Sequence, residues 1–251
     1  MAFLTFRGGI HPNDGKDLSK NCPVEKYLPK GDLAILVSQH IGAPAKPIVK
    51  KGDHVLAGQK IAEAGGFVSA PIHSSVSGTV KGIEKRLTAV GAMGDAIIIE
   101  NDGLYESVEY TPATLSDLSR EDILKRIQEG GVVGQGGAGF PTHVKLSPKE
   151  PDKIDYILVN GAECEPYITS DYRRMMEEPE SIVGGLEVIL KAFPKAEGCI
   201  CIEDNKPDCI EKLKELTKDE PRIEVMALKT KYPQGGERQL IYATTGRAIN
   251  S

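Results

Sequence analysis

Hydrophobic and polar residues follow two different periods along the chain, and the period changes near residue 120. Before this point, short runs rich in valine and isoleucine alternate with glycine turns, most clearly over residues 47–62 and 69–83. This pattern predicts a small β-rich domain over residues 1–105. A polar segment interrupted by Pro112 then predicts a linker over residues 106–119.

Helical and strand patterns alternate from residue 120 onward. An apolar stripe at helical spacing predicts a helix over residues 120–129, and similar spacing predicts later helices and strands. The helices are expected after Pro179 and over residues 207–216 and 239–243, and the strands over residues 156–159, 198–202 and 222–226. Such alternation is typical of an α/β fold with a largely parallel sheet. The sequence therefore predicts a second domain, of the α/β class, over residues 120–251.

Charge and hydropathy exclude several classes of partner. The net charge is −5 and the isoelectric point is about 5.7, which argues against nucleic acid as a ligand. The apolar runs, such as residues 96–99, are too short to span a bilayer, and the first residues lack the charged and apolar regions of a signal peptide. We therefore expect a cytoplasmic chain whose contact with a membrane depends on other subunits.

The cysteine and histidine positions do not predict a metal site. The five cysteines contain no Cys-x-x-Cys pair, which disfavours a disulfide framework, a zinc site and a cluster motif. Cys164, between Glu163 and Glu165, is a candidate functional residue, although a small buried hydrophobic role is the more common one. The histidines at positions 11, 40, 54 and 73 stand singly, and we interpret them as surface or packing residues.

A glycine-rich segment over residues 131–145 is the most informative part of the chain. Its glycines at positions 131, 134, 136, 137 and 139 precede Phe140 and Lys145. Closely spaced glycines let backbone N–H groups approach an anion, which predicts a phosphate-bearing cofactor. However, the segment follows a predicted helix and matches neither the dinucleotide fingerprint nor the phosphate loop. A tight structural turn is the alternative.

Two further segments carry candidate ligand residues. The predicted strand 156–159 leads into Asn160-Gly-Ala-Glu-Cys-Glu-Pro166, and α/β sheets place ligands beyond the carboxyl ends of their strands. A solvated turn is the bland alternative for this segment. The third segment, Lys231-Tyr-Pro-Gln-Gly-Gly-Glu-Arg238, is another glycine-rich turn before a predicted helix.

Together, and in this order, the three segments resemble the RnfC subunit of the Rnf electron-transport complex. The core of that subunit is similar to the NADH- and FMN-binding flavoprotein of respiratory complex I. The present chain departs from the flavoprotein pattern in having Gln135 in place of Arg, Ala162 in place of Asp and Gly236 in place of Glu. The resemblance implies an N-terminal barrel-sandwich hybrid of the biotinyl/lipoyl type, followed by a Rossmann-like α/β domain that binds FMN.

The resemblance also implies a function and a set of binding residues. It implies a flavoprotein subunit that passes electrons from NADH through FMN to iron–sulfur clusters, or in reverse from ferredoxin to NAD. No side chain is expected to be catalytic, because the cofactor carries the chemistry. By resemblance, FMN would contact Gly134, Gly136, Gly137, Gly139, Lys145, Asn160 and Glu163, and NADH would contact Phe140, Glu165 and Glu237, with Tyr232 in the same cofactor-binding set.

The β-rich domain and the rest of the family's chain complete these expectations. The hairpin tip that carries a modified lysine in biotinyl/lipoyl domains is here Ala64–Ser69, without lysine, so we expect a scaffold rather than a carrier. The family continues into a β-grasp domain and an iron–sulfur domain, and we expect the present chain to be truncated before them, with the clusters in that later part.

The expected partners are the other subunits of a membrane electron-transport complex, NAD(H), and ferredoxin as an indirect redox partner. Through those subunits the protein would lie at the cytoplasmic face of the inner membrane. Two alternatives stay open at this point. The first is a non-catalytic assembly or docking module of such a complex, and the second is a related cobalamin reductase.

Overall fold

The computed structural model describes residues 4–135 and 137–249. Its contacts divide the chain into two compact units, and each is described by itself. Lys26–Lys149 form the β unit, whereas Met1–Glu25 and Glu150–Ser251 form the α/β unit. These units group residues differently from the domains expected from the sequence, whose limits of 1–105, 106–119 and 120–251 stay a prediction.

Two antiparallel sheets build the β unit, as the alternation of short apolar runs predicts. One sheet has the order β1-β7-β6-β3 and the other the order β2-β4-β5. The core draws on both sheets, with Ile61 and Ile72 from the second and Val80, Ile97 and Ile99 from the first. The strands are β1 Leu33–Leu36, β2 Lys46–Pro47, β3 His54–Val55, β4 Lys60–Glu63, β5 Ile72–His73, β6 Gly78–Leu87 and β7 Met93–Asn101.

Two helices complete the β unit, α1 over Arg120–Glu129 and α2 over Thr142–Lys145. The start of α1 is fixed by a reciprocal cap between Ser119 and Asp122. The Asp122 N–H donates to the Ser119 hydroxyl at 3.1 Å, and the Ser119 N–H donates to the Asp122 carboxylate at 3.0 Å. Such a capping box satisfies two amides that have no partner within the helix. The helix predicted over residues 120–129 is confirmed.

A parallel three-stranded sheet with the order β10-β9-β8 forms the centre of the α/β unit. The central strand β9 is buried from Gly198 to Glu203, as expected for a parallel strand covered on both faces. Cys199 and Cys201 pack with Leu240 of the last helix, whereas Gly198 faces Leu186 from the opposite side. The elements are β8 Tyr156–Gly161, β9 Glu197–Glu203, β10 Ile223–Leu228, α3 Ser170–Glu177, α4 Pro179–Ala192, α5 Pro207–Leu216 and α6 Glu237–Thr245.

The fold class expected from the sequence is confirmed, but two local expectations need correction. Helix α3 was not predicted, because its N-cap residue Thr169 makes no side-chain cap and the amides are satisfied by Glu163 instead. The sequence Asn205-Lys-Pro207 is typical of a helix start capped by Asn205, but the N-cap position of α5 is Lys206, and its side chain makes no cap hydrogen bond. The Asn205 side-chain oxygen instead accepts a hydrogen bond from the Lys206 ammonium at 2.9 Å.

A pair of glycines in β6 allows backbone strain and steric overlap to be tested separately. Gly78 and Gly82 have φ of 154° and 151°. A methyl group on Gly78 would overlap the Glu100 carbonyl oxygen, whereas one on Gly82 would meet no atom of the described residues within 4 Å. We expect Gly82→Ala to lower the free energy of unfolding by about 1 kcal/mol through strain. Gly78→Ala should cost at least about 2 kcal/mol more, since the overlap is with backbone.

Urea unfolding of the two variants beside the unsubstituted protein measures both losses. Equal losses would show that the strand pairing around Gly78 is looser than the structure indicates.

Candidate functional site

The glycine-rich segment forms a closed loop in the β unit. Its two arms meet in an antiparallel bridge between Val133 and Pro141. The Gly134 N–H donates to the Phe140 carbonyl oxygen at 2.9 Å, and the Thr142 N–H donates to the Val132 carbonyl oxygen at 3.0 Å. We refer to residues 131–141 as the glycine loop; Gly136, one of the predicted binding residues, lies outside the described residues.

The β-rich part of the same unit holds both ends of this loop. At the start, Gly131 has a φ of 64°, and a methyl group there would lie 2.5 Å from the Pro71 carbonyl oxygen. At the end, Gly139 also has a φ of 64°, and a methyl group would lie 3.0 Å from the Gln39 carbonyl oxygen. The Ile41 N–H donates to the Ala138 carbonyl oxygen at 2.9 Å. Glycine is therefore required at positions 131 and 139, because any other residue would be strained and would crowd neighbouring backbone of the β unit.

Gly134 and Gly137, in the same loop, are not held in this way. Among the described residues, no atom lies within 4 Å of a methyl group placed on Gly137, and the nearest neighbour of one placed on Gly134 lies at an ordinary 3.7 Å. Both glycines are exposed, and the Phe140 side chain is 39% exposed beside them. Lys145, at the end of α2, is exposed as well. The glycine loop and α2 thus present bare backbone, an aromatic ring and a cation within residues 134–145.

The second group of predicted residues follows β8 in the α/β unit. We refer to residues 162–169 as the β8 turn. The Asn160 amide nitrogen donates to the Gly235 carbonyl oxygen at 2.8 Å, and its oxygen accepts the Ala162 N–H at 3.3 Å. Asn160 therefore ties the end of β8 to the turn that carries Gly235.

The two carboxylates of the β8 turn have different surroundings. Glu163 is buried and accepts the Asp171 N–H at 2.6 Å and the Tyr172 N–H at 3.3 Å, so one of its oxygens caps α3. Burial raises the pKa of this carboxyl above its usual range. Glu165, two residues later, is exposed. Glu163 thus serves the turn itself, whereas Glu165 is accessible to a ligand.

The third group lies in the turn before α6. Tyr232 pairs with Ile10 through reciprocal backbone hydrogen bonds of 2.9 Å. A methyl group on Gly235 would lie 3.2 Å from the Cys164 sulfur and 3.5 Å from the Asn160 oxygen. Glu237, the first residue of α6, is exposed. The α/β unit therefore brings the second and third groups of predicted residues together, whereas the glycine loop belongs to the β unit.

The Cys164 thiol links the β8 turn to the turn before α6. Its sulfur accepts the Gly235 N–H at 3.2 Å, and burial raises its pKa. Burial also raises the pKa of Cys201 and of Cys209 to about 12. Over residues 4–135 and 137–249, no group of three or more histidine, cysteine, aspartate or glutamate side chains is placed to hold a metal ion.

Several buried charges at the strand ends were missed by the sequence analysis. Glu203, the last residue of β9, and Lys206 are 1% and 2% exposed, and their charged groups lie 3.6 Å apart. The Lys206 ammonium donates to the Ala162 carbonyl oxygen at 2.6 Å, and the Lys231 N–H donates to the Glu203 carboxylate at 3.1 Å. Burial raises the pKa of Glu203 and lowers that of Lys206. The sequence does carry a signal for this buried ion pair, namely a glutamate and a lysine three residues apart at the end of an apolar strand.

Two family models match the chain. The model of the RnfC barrel sandwich hybrid domain matches residues 4–104, and the model of the Nuo51 FMN-binding domain matches residues 127–251.

Among the helices over residues 4–135 and 137–249, none has both the length and the hydropathy of a bilayer-spanning segment.

Curated relatives match nearly the whole chain. The C subunit of the Na(+)-translocating ferredoxin:NAD(+) oxidoreductase complex of Acetobacterium woodii is 45% identical, covering 98% of this chain and 56% of the relative. The C subunit of the proton-translocating complex of Clostridium ljungdahlii is also 45% identical, covering 98% of this chain and 54% of the relative. The chain thus spans about half the length of these relatives.

The structural likeness to solved proteins is partial. A crystal structure of an NAD+-reducing NiFe-hydrogenase in the H2-reduced state is 21% identical, covers 55% of this chain and 26% of that chain, and has a TM-score of 0.43. The sequence matches are the stronger finding, because the two family models together match most of the chain and both relatives match nearly all of it. The chain therefore belongs to the RnfC family, and it matches the models of the RnfC barrel sandwich hybrid domain and the Nuo51 FMN-binding domain.

Proposed function

We propose that this chain holds FMN on its glycine loop and takes part in electron transfer between NAD(H) and the redox centres of an Rnf-type complex. The observation that carries the proposal is the open backbone at Gly137, on a loop whose two ends are fixed. A loop that only made a turn would need glycine at its strained or crowded positions, such as Gly139, but not at an unstrained and uncrowded one.

The residues of the glycine loop suit a flavin phosphate. Exposed backbone at Gly134 and Gly137 allows N–H groups to approach an anion closely. Lys145, at the end of α2, would supply the balancing positive charge, and Phe140 an aromatic surface on which the nicotinamide or adenine ring of NADH would stack. Bound FMN would supply the redox chemistry, exchanging a hydride with the dinucleotide and single electrons with iron–sulfur centres.

The carboxylates of the α/β unit suit a division of labour. Glu165 and Glu237 are exposed, and we assign them to the dinucleotide, whose ribose hydroxyls donate hydrogen bonds to carboxylates. Gln234, near Glu237 in sequence, is fully buried, and its side-chain amide has no partner among the described residues. Contacts of Asn160, Glu163 and Tyr232 with the cofactors stay predictions, and the hydrogen bonds of Glu163 favour a role inside the β8 turn.

The wider setting is proposed from the family. The curated relatives are named as subunits of ferredoxin:NAD(+) oxidoreductase complexes. We propose that the present chain works in the same setting, at the cytoplasmic face of a membrane through partner subunits, with ferredoxin as an indirect electron source. Iron–sulfur clusters would belong to parts of the assembly other than the described residues.

Gly137→Ala tests the cofactor surface directly. The substitution should leave the free energy of unfolding nearly unchanged, because the φ of Gly137 is not strained and no described residue lies within 4 Å of the added methyl group. We expect it to weaken FMN binding at least about tenfold, since a methyl group would displace backbone from the ligand. Gly31→Ala, at another unstrained and uncrowded glycine, is the matched control. Flavin fluorescence titration gives both affinities, and an unaltered FMN affinity in Gly137→Ala would contradict the proposal.

Lys145→Ala tests the phosphate contact. Loss of a charge-assisted hydrogen bond should weaken FMN binding by about 1.5 to 3 kcal/mol. The exposed Lys149, four residues later, gives the control Lys149→Ala, which should bind FMN normally. Isothermal titration with FMN measures the difference, and equal affinities for the two variants would remove Lys145 from the site.

Glu165→Gln tests the division between the two ligands. We expect the NADH concentration that gives half-maximal flavin reduction to rise about tenfold, because a charged acceptor for a ribose hydroxyl is lost. The FMN content should stay the same. Glu180→Gln, at an exposed glutamate in the first turn of α4, serves as the control. Loss of FMN with a normal NADH requirement would refute the assignment.

A further inference from the structure

The N-terminal segment of the α/β unit runs along the carboxyl edge of the parallel sheet. Leu4 forms a bridge with Leu228 at the end of β10, and Ile10 pairs with Tyr232 in the turn before α6. Further along, the Tyr167 N–H donates to the Asp14 carbonyl oxygen at 2.6 Å. We refer to residues 4–20 as the N-terminal strap. It passes from the third group of predicted residues to the β8 turn.

The β8 turn needs outside support because its backbone is strained. Glu163 and Tyr167 have positive φ angles of 49° and 68°, which are uncommon for residues other than glycine and persist only where surrounding contacts hold them. The strap supplies these contacts. Ser19 and Thr169 share a hydrogen bond of 2.8 Å, and a methyl group on Gly15 would overlap the Tyr167 ring.

Lys16 is the centre of this support. Its side chain is 9% exposed, and its ammonium donates to the Glu165 carbonyl oxygen at 3.0 Å and to the Ile168 carbonyl oxygen at 2.6 Å. The second carboxylate oxygen of Glu163 lies 3.8 Å from the same ammonium. One buried cation thus holds two carbonyls and one carboxylate of a single turn, and the carboxylate balances its charge.

We propose that Lys16 is the positioning residue of the β8 turn, fixing the place of the exposed Glu165 carboxylate and thereby the affinity for the dinucleotide. The effect on the dinucleotide rests on the proposed function, whereas the effect on the turn does not. Lys16 itself touches neither ligand in this account. It acts only through the two carbonyls and the carboxylate that it holds.

The test uses variants that separate the loss of the Lys16 hydrogen bonds from the loss of its buried positive charge. Lys16→Met alone leaves Glu163 buried without its counter-ion and is expected to unfold easily. The double variant Lys16→Met/Glu163→Gln removes both charges and still removes the donor to the two carbonyls. Lys20→Met is the control on the same strap, since the exposed Lys20 ammonium forms its ion pair with Asp17 of the strap itself. Lys16→Arg retains the charge and should recover part of the function.

Amide hydrogen exchange measures the local stability of the β8 turn in the absence of any ligand. In the folded double variant, exchange over residues 163–169 should be at least about tenfold faster than in Lys20→Met, because the hydrogen bonds from Lys16 to the Glu165 and Ile168 carbonyl oxygens are lost. Exchange in the central strand β9 should be equal in the two variants. Equal exchange over residues 163–169 would overturn the proposal, whatever the protein binds.

NADH titration of the FMN-loaded protein measures the effect of the loosened turn on dinucleotide binding. At saturating FMN, the double variant should need about ten to a hundred times more NADH than Lys20→Met for half-maximal flavin reduction. A loosened turn with an unchanged NADH requirement would overturn the link from Lys16 to the dinucleotide. If NADH fails to reduce the unsubstituted protein, the proposed function fails, and the exchange experiment alone decides the role of Lys16.

Discussion

Buried lysine ammonium groups hold the carboxyl edge of the parallel sheet together. Lys16 binds two carbonyls of the β8 turn, Lys206 binds the Ala162 carbonyl oxygen, and Lys231 binds the Phe6 and Gly8 carbonyl oxygens. Each ammonium supplies a hydrogen-bond donor to backbone carbonyls of other segments, and a carbonyl that loses its partner on burial is costly. The carboxylate of Glu163 balances the charge of Lys16, and that of Glu203 balances the charge of Lys206.

The glycines of the chain's most informative segment serve two purposes. Gly131 and Gly139 have positive φ angles and lie against backbone of the β unit, so they fix the ends of the loop. Gly137 has neither constraint within the described part of the chain, and we propose that its backbone contacts FMN. A barrel-sandwich domain without a lysine at its hairpin tip thus has a physical task in this chain. It holds both ends of the glycine loop in place.

The sequence predicted the fold well where a single short-range pattern decides the structure. The helix over residues 120–129 has its own capping box, and β9 is an uninterrupted apolar run, so both follow from local residues. Helix α3 could not be predicted in this way, because its first amides are satisfied by Glu163 from outside the helix. The same limit applies to the strap, since nothing near Lys16 in sequence reveals that its partners are the carbonyls of Glu165 and Ile168.

Hydrogen exchange with and without FMN tests whether FMN lies on the glycine loop. Saturating FMN should slow amide exchange over residues 131–145, with little change in the β6–β7 hairpin of the same unit. FMN binding that leaves exchange over residues 131–145 unaltered would show that FMN lies elsewhere.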